Sequence, residues 1–273
     1  MQANRSWTPP VGPLGRLSVA AAARAAVLQA HQSELRARAG DAPPAPGFGA
    51  ALRRFDVAVV AEVKRRSPSK GVINVAIDAG EQASSYARGG AAALSILTEP
   101  SEFGGAVSDL ADARRATTVP LLKKDFHVDP IQVLEARVTG ASAMLLIARA
   151  LAPDRLREMA DAAREVGIEV LVEVRSEAEL EDALAIDEAV IGVNSRDLET
   201  LIIHPDVTTR LIAMIPSDRI AMAESGVTSR GDVERVAAAG ADAVLVGSSI
   251  SAASDPAAAV ASLTGVGRTH RGR

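Results

Sequence analysis

Short apolar runs alternate with amphipathic stretches along most of the chain. Apolar runs typical of buried strands begin at eight places, near Val57, Ala93, Val119, Ala143, Ile168, Ala189, Arg219 and Ala243. Patterns typical of helices lie between them, over residues 78–88, 107–117, 130–139, 153–166, 177–186, 205–214, 229–239 and 256–263. In three of these units a glycine ends the helix and an apolar strand follows, at Gly90, Gly140 and Gly240. The chain is therefore predicted to alternate strands with helices.

Eight strand–helix units whose strands are apolar on both faces predict an α/β protein, with a parallel sheet closed into a (β/α)₈ TIM barrel. The structural alternative is an open doubly wound sheet. Such a dinucleotide-binding sheet carries Gly-x-Gly-x-x-Gly after its first strand, whereas this chain reads Glu62-Val63-Lys64-Arg65-Arg66-Ser67 there. The barrel, predicted as the catalytic domain, is assigned to residues 48–264.

Additional segments are predicted at both ends of the barrel. Residues 1–47 are predicted to form an N-terminal helical extension, with a disordered start, an Ala-rich helix from Ser18 to about Ala39, and a Pro-rich linker over residues 41–47. Residues 265–273 are predicted to be a disordered tail because they are polar and rich in glycine and arginine.

Composition narrows the class of protein. With 273 residues, 48% of them hydrophobic, the chain can bury a large core. It has no cysteine, which excludes disulfides and thiolate chemistry and suits a reducing cytoplasm. A formal charge of -4 and the lack of the usual motifs argue against nucleic-acid binding. The apolar stretch over residues 19–30 contains Arg24 and Gln29, so it is too polar for a signal peptide or a membrane span.

Charged residues at the end of the first strand predict a ligand site. Glu62 and Lys64 stand two positions apart, so both side chains leave on the face that would line the barrel interior. A TIM barrel carries its chemistry at the C-terminal ends of its strands. Polar residues close five further strands at that end, namely Lys123, Lys124, Asp125, Glu173, Asn194, Ser195, Arg196, Glu224, Ser225, Gly226, Gly247, Ser248 and Ser249. Strand alternation allows only one of the two adjacent lysines to face inward.

The seventh and eighth loops are candidates for phosphate binding. Ser225-Gly226 and Gly247-Ser248 offer small residues and backbone N–H groups ahead of helices, where TIM barrels commonly hold a phosphate. Basic residues predicted on the same side would attract an anion to an otherwise acidic protein, and they are Lys64, Arg65, Arg66, Lys70, Lys123, Lys124 and Arg196.

Two phenylalanines fall in the loops after the second and third strands, although the chain contains few aromatic residues. Phe103 and Phe126 are suited to a flat apolar part of a ligand, and the alternative is that each fills a gap beneath its loop. His127 is predicted to be an exposed loop histidine. No His/Asp/Glu cluster has the spacing of metal ligands, so neither a metal nor a cofactor is predicted.

One segment after the first strand resembles a family signature. Residues 61–69, Ala-Glu-Val-Lys-Arg-Arg-Ser-Pro-Ser, resemble the signature of indole-3-glycerol-phosphate synthase. Further matching segments follow in that family's order, at residues 95–99, 124–126, 171–174, 192–198, 223–226 and 246–248. The resemblance spans roughly residues 48–249, and several segments in order are far more specific than any one of them.

The resemblance implies a TIM barrel whose N-terminal helical extension covers the catalytic mouth, acting in tryptophan biosynthesis. The substrate would be 1-(2-carboxyphenylamino)-1-deoxyribulose 5-phosphate, closed to indole-3-glycerol phosphate with loss of carbon dioxide and water, in a carboxy-lyase reaction. That substrate suits the site predicted from the residues. It brings a phosphate for the seventh and eighth loops, a ring for the phenylalanines, a carboxylate for lysine or arginine, and a ketone that needs an acid.

The resemblance also implies a role for each candidate residue. Lys124 would donate a proton to the ketone during ring closure. Glu173 and Lys64 would serve as acid and base in the dehydration, in an order that the sequence leaves open. Supporting roles would belong to Glu62 and Asn194, which orient the lysines and the sugar hydroxyls, to Arg196, which braces Glu62, and to Ser67, at the mouth.

The second loop departs from the family pattern. After Phe103 the family usually shows Gly-Ser, whereas this chain reads Gly104-Gly105-Ala106. The change removes a hydroxyl group and is expected to loosen the backbone of the loop, because glycine restricts it least.

Two other functions stay open from the residues alone. A lysine that ends a barrel strand can be the Schiff-base nucleophile of an aldolase acting on a sugar phosphate, and Lys124 or Lys64 would then have a depressed pKa. The chain could also bind a phosphorylated metabolite without turnover. In each case the expected partner is a small phosphorylated molecule, bound by a monomer or a weak homo-oligomer.

Overall fold

The computed structural model describes residues 7–271. Residues 1–6 of the predicted disordered start and the last two residues of the predicted disordered tail lie outside this range. Within it, the chain forms a barrel of strands surrounded by helices, preceded by two helices of the N-terminal extension.

Eight parallel strands close into a barrel, as the sequence predicted. They are β1 (Ala58–Val63), β2 (Ala93–Leu97), β3 (Leu121–Lys124), β4 (Ala143–Ile147), β5 (Glu169–Val174), β6 (Val190–Asn194), β7 (Ala221–Glu224) and β8 (Ala243–Val246). Closure is direct, because β1 pairs with β2 on one side and with β8 on the other. The register brings polar strand ends to one level, for example Asn194 opposite Glu224. A short hairpin, Arg66–Ser67 with Gly71–Val72, follows β1.

Twelve α-helices accompany the strands within the described residues. They are α1 (Gly12–Gln29), α2 (Gln32–Asp41), α3 (Phe48–Leu52), α4 (Ala79–Arg88), α5 (Val107–Ala116), α6 (Ile131–Val138), α7 (Pro153–Glu165), α8 (Glu177–Leu184), α9 (Pro205–Met214), α10 (Arg230–Ala238), α11 (Ser248–Ser251) and α12 (Pro256–Ala261). N-cap residues mark the start of several helices. The side chains of Asp78, Ser176 and Ser229 each accept a backbone hydrogen bond at the N-terminus of the helix that follows. The eight helices predicted to alternate with the strands agree with these bounds to within about two residues.

Strand alternation divides the apolar residues into two layers. Along β1, Ala58 and Val60 point into the barrel, while Val59 and Ala61 pack against the outer helices. The bottom of the barrel is closed by α3, whose Phe48 joins the interior cluster. The Glu169 carboxylate accepts hydrogen bonds from the backbone N–H groups of Phe48 and Gly49, both at 2.7 Å, and these anchor the plug. The apolar plug leaves the opposite end of the barrel as the open one.

The N-terminal extension contains two helices where the sequence predicted one from Ser18 to about Ala39. The first, α1, begins earlier, because Pro13 suits the first helical turn and the backbone N–H of Leu14 donates to Leu198 at 3.1 Å. The chain then turns before α2, which lets Leu35 pack against α6. Leu14 joins the barrel-interior cluster, so α1 lies across the open end. Within residues 7–271 no helix is long and apolar enough to cross a membrane.

The predicted disorder of the tail is wrong for residues 265–271. Val266 is buried and accepts a hydrogen bond from the backbone N–H of Val57 at 2.8 Å. Arg268 and Arg271 both form ion pairs with Asp242, which is buried at the start of β8. A polar tail looks disordered in sequence, but here its two arginines compensate a carboxylate that the barrel buries.

We expect the double substitution Arg268→Ala/Arg271→Ala to lower the free energy of unfolding by about 3 kcal/mol, because it leaves a buried carboxylate without its cationic partners. Urea denaturation measures the change. Arg157→Ala is the matched control, since it removes an exposed arginine whose partner Asp154 is almost fully exposed, and we expect a change within about 0.5 kcal/mol. Equal stability of the double variant and the control would contradict the packed tail.

Candidate active site

One ammonium group lies at the centre of the open end. The Nζ of Lys124, at the end of β3, is 3.3 Å from Glu224 Oε2, 3.7 Å from Glu62 Oε1 and 3.9 Å from Glu173 Oε2. The three carboxylates end β7, β1 and β5, and all are buried. Burial would lower the pKa of Lys124, but the carboxylates outweigh it and raise that pKa above its ordinary value. Lys124 therefore carries its charge at neutral pH.

A second ammonium group lies beside the first carboxylate. Lys64 Nζ is 3.1 Å from Glu62 Oε2, so Glu62 faces both lysines with different oxygens. Burial would raise the pKa of Glu62, but the charges of Lys64 and Lys124 outweigh it and hold that pKa below its usual value. Glu62 is thus an ionised bridge between two cations. Gly247 leaves room for it, because a Cβ there would lie 2.4 Å from Glu62 Oε2.

Sequence reasoning missed the part that Glu224 plays. It was recognised as a strand end, but no role was assigned to it. Its carboxyl group is buried among other acids, and this burial raises its pKa to about 8, against the lowering effect of Lys124 and with a further increase from Glu173. Glu224 points into the barrel two residues after Met222, which is an interior residue, so strand alternation could have identified it. Gly192 gives it space.

Lys123, the residue before Lys124, forms an ion pair outside the cavity. Lys123 Nζ is 2.5 Å from Glu135 Oε2 of α6, on the outside of the barrel. The alternation of β3 predicted that the two lysines face opposite ways, and the structure agrees. Among the remaining basic candidates, Arg65 pairs with Asp109 at the start of α5 and is therefore occupied.

Apolar groups form one wall of the cavity above Lys124. The rings of Phe103 and Phe126 lie 6.3 Å apart with a 40° angle between their planes. Lys64 Nζ lies 5.4 Å from the centre of the Phe103 ring, a distance at which a cation interacts with an aromatic face. Leu14 and Leu17 of α1 also line the cavity, so the N-terminal extension forms part of its roof.

Small polar residues form the opposite wall. Ser225 has a φ of 62° and Gly226 a φ of 74°, so two successive residues after β7 adopt the left-handed conformation. Both line the cavity, as do Gly247 and Ser248, which begin the short helix α11. A short extra helix after the eighth strand is the usual phosphate position in this fold. Ser67, at the mouth, also lines the cavity.

The expectations for two side chains, Arg196 and His127, are wrong. Arg196 lines the cavity, but its guanidinium donates to the carbonyl of Leu201 at 2.9 Å and does not brace Glu62, which the two lysines hold instead. Asn194 Oδ1 accepts from the backbone N–H of Arg196 at 2.9 Å. His127 is buried where exposure was predicted, because its ring turns beneath the loop and contacts the carbonyl oxygen of Leu145 at 2.7 Å.

The structure shows a steric role for Gly105 in the second loop that the sequence did not indicate. Gly105 approaches the carbonyl oxygen of Leu97 so closely that a Cβ would lie 2.1 Å from it, so glycine is required there. The residue after Gly105 affects the start of α5. Ala106 occupies the N-cap of α5, where serine would accept a hydrogen bond from the helix backbone. The start of α5 is left to Asp109, which accepts from the N–H of Ala106.

Within the described residues, no group of three or more His, Cys, Asp or Glu side chains is arranged so that it could hold a metal ion. The polar groups of the cavity are ammonium, carboxylate, amide and hydroxyl groups together with backbone N–H donors. Such a set can bind a phosphate, donate protons and accept them.

Comparison with known proteins identifies the family. The chain matches the indole-3-glycerol phosphate synthase family over residues 16–263. A relative of that name from Nocardioides sp. is 47% identical over 234 residues, covering 86% of this chain and 90% of the relative. The chain belongs to the indole-3-glycerol phosphate synthase family. Relatives of the same name from Mycobacterium avium and Rhodococcus jostii are 46% and 44% identical, the first covering 87% of each chain, the second 90% of this chain and 91% of the relative.

A solved structure supports the fold independently. Thiamine phosphate pyrophosphorylase from Pyrococcus furiosus superposes with a TM-score of 0.57, covering 76% of this chain and 93% of that chain. At 15% identity this likeness shows the barrel fold alone. The family resemblance predicted from the sequence is confirmed, together with the barrel that it implies.

We expect Ala106→Ser to raise the free energy of unfolding by about 1 kcal/mol, because the hydroxyl can cap α5. Thermal or urea denaturation measures the change. Ala106→Val is the control, since it adds volume without an acceptor, and it should not stabilise the protein. An unchanged or lower stability of the serine variant would show that the N-cap is not available to a side chain.

The raised pKa of Glu224 predicts a pH-dependent stability. Between about pH 4.5 and pH 8 the unfolded carboxyl group has lost its proton while the folded one retains it, so the free energy of unfolding falls as the pH rises. We expect Glu224→Gln to remove this fall, which approaches about 1.4 kcal/mol per pH unit at its steepest. Urea denaturation from pH 5 to pH 8 measures it.

The control for this series is Glu165→Gln, an exposed position at the end of α7, which should follow the wild-type curve. Wild-type and Glu224→Gln curves that run parallel over the whole range would show that Glu224 ionises like an ordinary carboxyl group.

Proposed function

We propose that the protein is an indole-3-glycerol-phosphate synthase, which closes 1-(2-carboxyphenylamino)-1-deoxyribulose 5-phosphate to indole-3-glycerol phosphate with loss of carbon dioxide and water. The observation that carries the proposal is the position of Lys124. A largely buried ammonium group, on a side chain 14% exposed, stands between an aromatic wall and a wall of small polar loops, in a cavity that α1 partly roofs. This arrangement suits a substrate with a ring at one end and a phosphate at the other.

The walls of the cavity suggest how the substrate lies. Its phosphate would bind the backbone N–H groups and hydroxyls after β7 and β8, at Ser225-Gly226 and Gly247-Ser248. Its ring would lie against Phe103 and Phe126. The carboxylate on the ring would face Lys64, whose ammonium group lies 5.4 Å from the Phe103 ring, or Arg196, which also lines the cavity. The ketone carbon between ring and phosphate would then stand near Lys124.

Ring closure requires a proton at the ketone oxygen. The aromatic carbon that carries the carboxylate attacks the ketone carbon, and the carbonyl π electrons move to the oxygen. We assign the proton to Lys124, whose ammonium group is charged and positioned before the reaction begins. Loss of carbon dioxide then returns the electron pair of the broken carbon–carbon bond to the ring.

Dehydration requires a base for the amine proton and an acid for the departing hydroxyl. Glu62 is a weak base because the lysines lower its pKa, and Glu224 retains its proton near neutral pH because its pKa is raised. We therefore assign the role of base to Glu173 and the role of acid to Lys64. The ammonium group of Lys64, held beside Glu62, would donate its proton to the departing hydroxyl. The side-chain oxygen of Asn194 accepts from the backbone N–H of Arg196, so its side-chain NH₂ group is the part that would donate to a sugar hydroxyl.

The raised pKa of Lys124 also bears on the aldolase alternative. A Schiff-base lysine must lose its proton to attack a carbonyl, so such a site depresses the pKa by desolvation or by a neighbouring cation. Here three acidic side chains surround the amine, and the ionised carboxylate of Glu62 among them stabilises its charged form. These surroundings support proton donation over nucleophilic attack.

We expect Lys124→Ala to lower kcat by about a thousandfold or more, because the closure loses its proton donor, while phosphate binding is retained. Indole fluorescence and released carbon dioxide measure turnover, and calorimetry with inorganic phosphate measures binding. Lys123→Met is the matched control, since the neighbouring lysine faces outward, and turnover per folded molecule should stay near wild type. Turnover by Lys124→Ala at the wild-type rate would refute the assignment, and so would a covalent adduct after borohydride reduction with substrate.

A further inference from the structure

A second buried carboxylate lies behind the aromatic wall, outside the cluster around Lys124. Glu99 follows β2, is fully buried and does not line the cavity. Its Oε1 accepts hydrogen bonds from the backbone N–H and the hydroxyl of Ser101, at 2.9 and 2.5 Å. Its Oε2 accepts from the backbone N–H of Glu102 at 2.8 Å and of Phe103 at 3.1 Å. One side chain thus binds three successive backbone N–H groups of the second loop.

These hydrogen bonds determine where the Phe103 ring stands. Because its own N–H is bound to Glu99, the residue cannot slide along the loop without breaking a hydrogen bond to a buried acceptor. The ring in turn lies beside the other ring of the aromatic wall and beside one of the two ammonium groups. It lies 6.3 Å from the Phe126 ring and 5.4 Å from Lys64 Nζ. A displacement of this loop would therefore move the aromatic wall and the surroundings of Lys64 together.

The N-terminal extension supplies a cation to this carboxylate. Arg24 of α1 places Nη1 3.8 Å from Glu99 Oε1 and Nη2 2.6 Å from Asp125 Oδ1. The other oxygen of Asp125, the residue directly after Lys124, accepts from the hydroxyl of Thr98 at 2.7 Å. Within residues 7–271, Arg24 is the one cationic side chain in ion-pair range of Glu99. The charge on Glu99 is compensated from α1, so the helix and the aromatic wall form one unit.

We propose that Glu99 is a positioning residue, which holds Phe103 against the aromatic part of the substrate and, through that ring, sets the surroundings of Lys64. The inference rests on the proposed function for the identity of the ligand. Glu99 touches neither the ligand nor the reacting atoms, and it acts through the backbone of the second loop. A side chain about 1 Å out of place can cost a hundredfold in rate, so such a residue affects the reaction without contacting it.

Glu99→Gln is the informative change because it keeps the size of the side chain. An amide has one acceptor oxygen, and its NH₂ group would point at backbone N–H donors that need an acceptor. The loop must then move, or it must leave a buried N–H without a partner. Glu102→Gln is the matched control. It removes the same charge from the same loop, and within the described residues no hydrogen bond or ion pair involves the Glu102 side chain.

Binding is measured with two probes. The first is the substrate analogue whose ketone is reduced to an alcohol, which keeps ring and phosphate but cannot close. The second is inorganic phosphate, which has no ring. We expect Glu99→Gln to weaken binding of the analogue and to raise KM, each by about tenfold. Phosphate binding should stay within about twofold of wild type. Glu102→Gln should match wild type with both probes. An equal loss with both probes would overturn the proposal, because Glu99 would then support the whole fold.

A double-variant cycle tests whether Glu99 acts through Phe103. If it does, the double variant Glu99→Gln/Phe103→Ala should bind the analogue less than about twofold more weakly than Phe103→Ala alone. Losses that multiply across the two changes would overturn the proposal.

Trp7, the single tryptophan of the chain, contacts the carbonyl of Arg149 and reports on the N-terminal segment. Unchanged tryptophan emission in Glu99→Gln supports a local effect. A shifted emission would attribute the loss of analogue binding to displacement of α1 and would overturn the proposal.

The cycle separates this inference from the proposed function. A wild-type protein that binds the analogue but does not turn over the substrate refutes the proposed function, whereas the coupling of Glu99 and Phe103 in analogue binding then still supports the positioning role. A wild-type protein that turns over normally, with independent effects of the two changes, refutes the positioning role and leaves the function standing.

Discussion

The structure depends on keeping opposite charges together inside a barrel that excludes water. Lys124 stands among Glu62, Glu173 and Glu224, and Lys64 pairs with the first of these. A single buried ion without a partner costs several kcal/mol, so none of these groups is tolerable alone. Three carboxyl groups still outnumber two ammonium groups, and the raised pKa of Glu224 lets one of them stay neutral. The same compensation provides charged donors and acceptors that are in place before a substrate arrives.

The barrel makes this cluster possible by geometry. Strands that alternate strictly place every second side chain inward, and their register brings the polar ends to one level. Glycines provide the remaining space, since Gly192 and Gly247 each face a carboxylate at a distance that a Cβ would not permit. The N-terminal helix completes the chamber from above and also compensates Glu99 through Arg24. The extension is therefore part of the chamber and not only a covering.

Local pattern accounts for most of what could be predicted. Alternating apolar runs gave all eight barrel strands, caps and prolines gave the helices between them, and the period of two separated Lys124 from Lys123. The failures share one cause. His127 turns beneath its loop toward β4, Arg196 is held by a neighbouring carbonyl, and the tail is bound by a carboxylate on β8. Each depends on a contact in three dimensions that the alternation of apolar and polar residues does not encode.

The sequence by itself determined the class of fold, the end of the barrel at which chemistry occurs, and the residue types available there, because strand periodicity and the end of each apolar run are local properties. Only the tertiary structure decided which charges meet, which carboxyl group keeps its proton, and which loop is held by Glu99. Those outcomes depend on distances between groups that are far apart along the chain, and on how completely the surrounding residues exclude water from them.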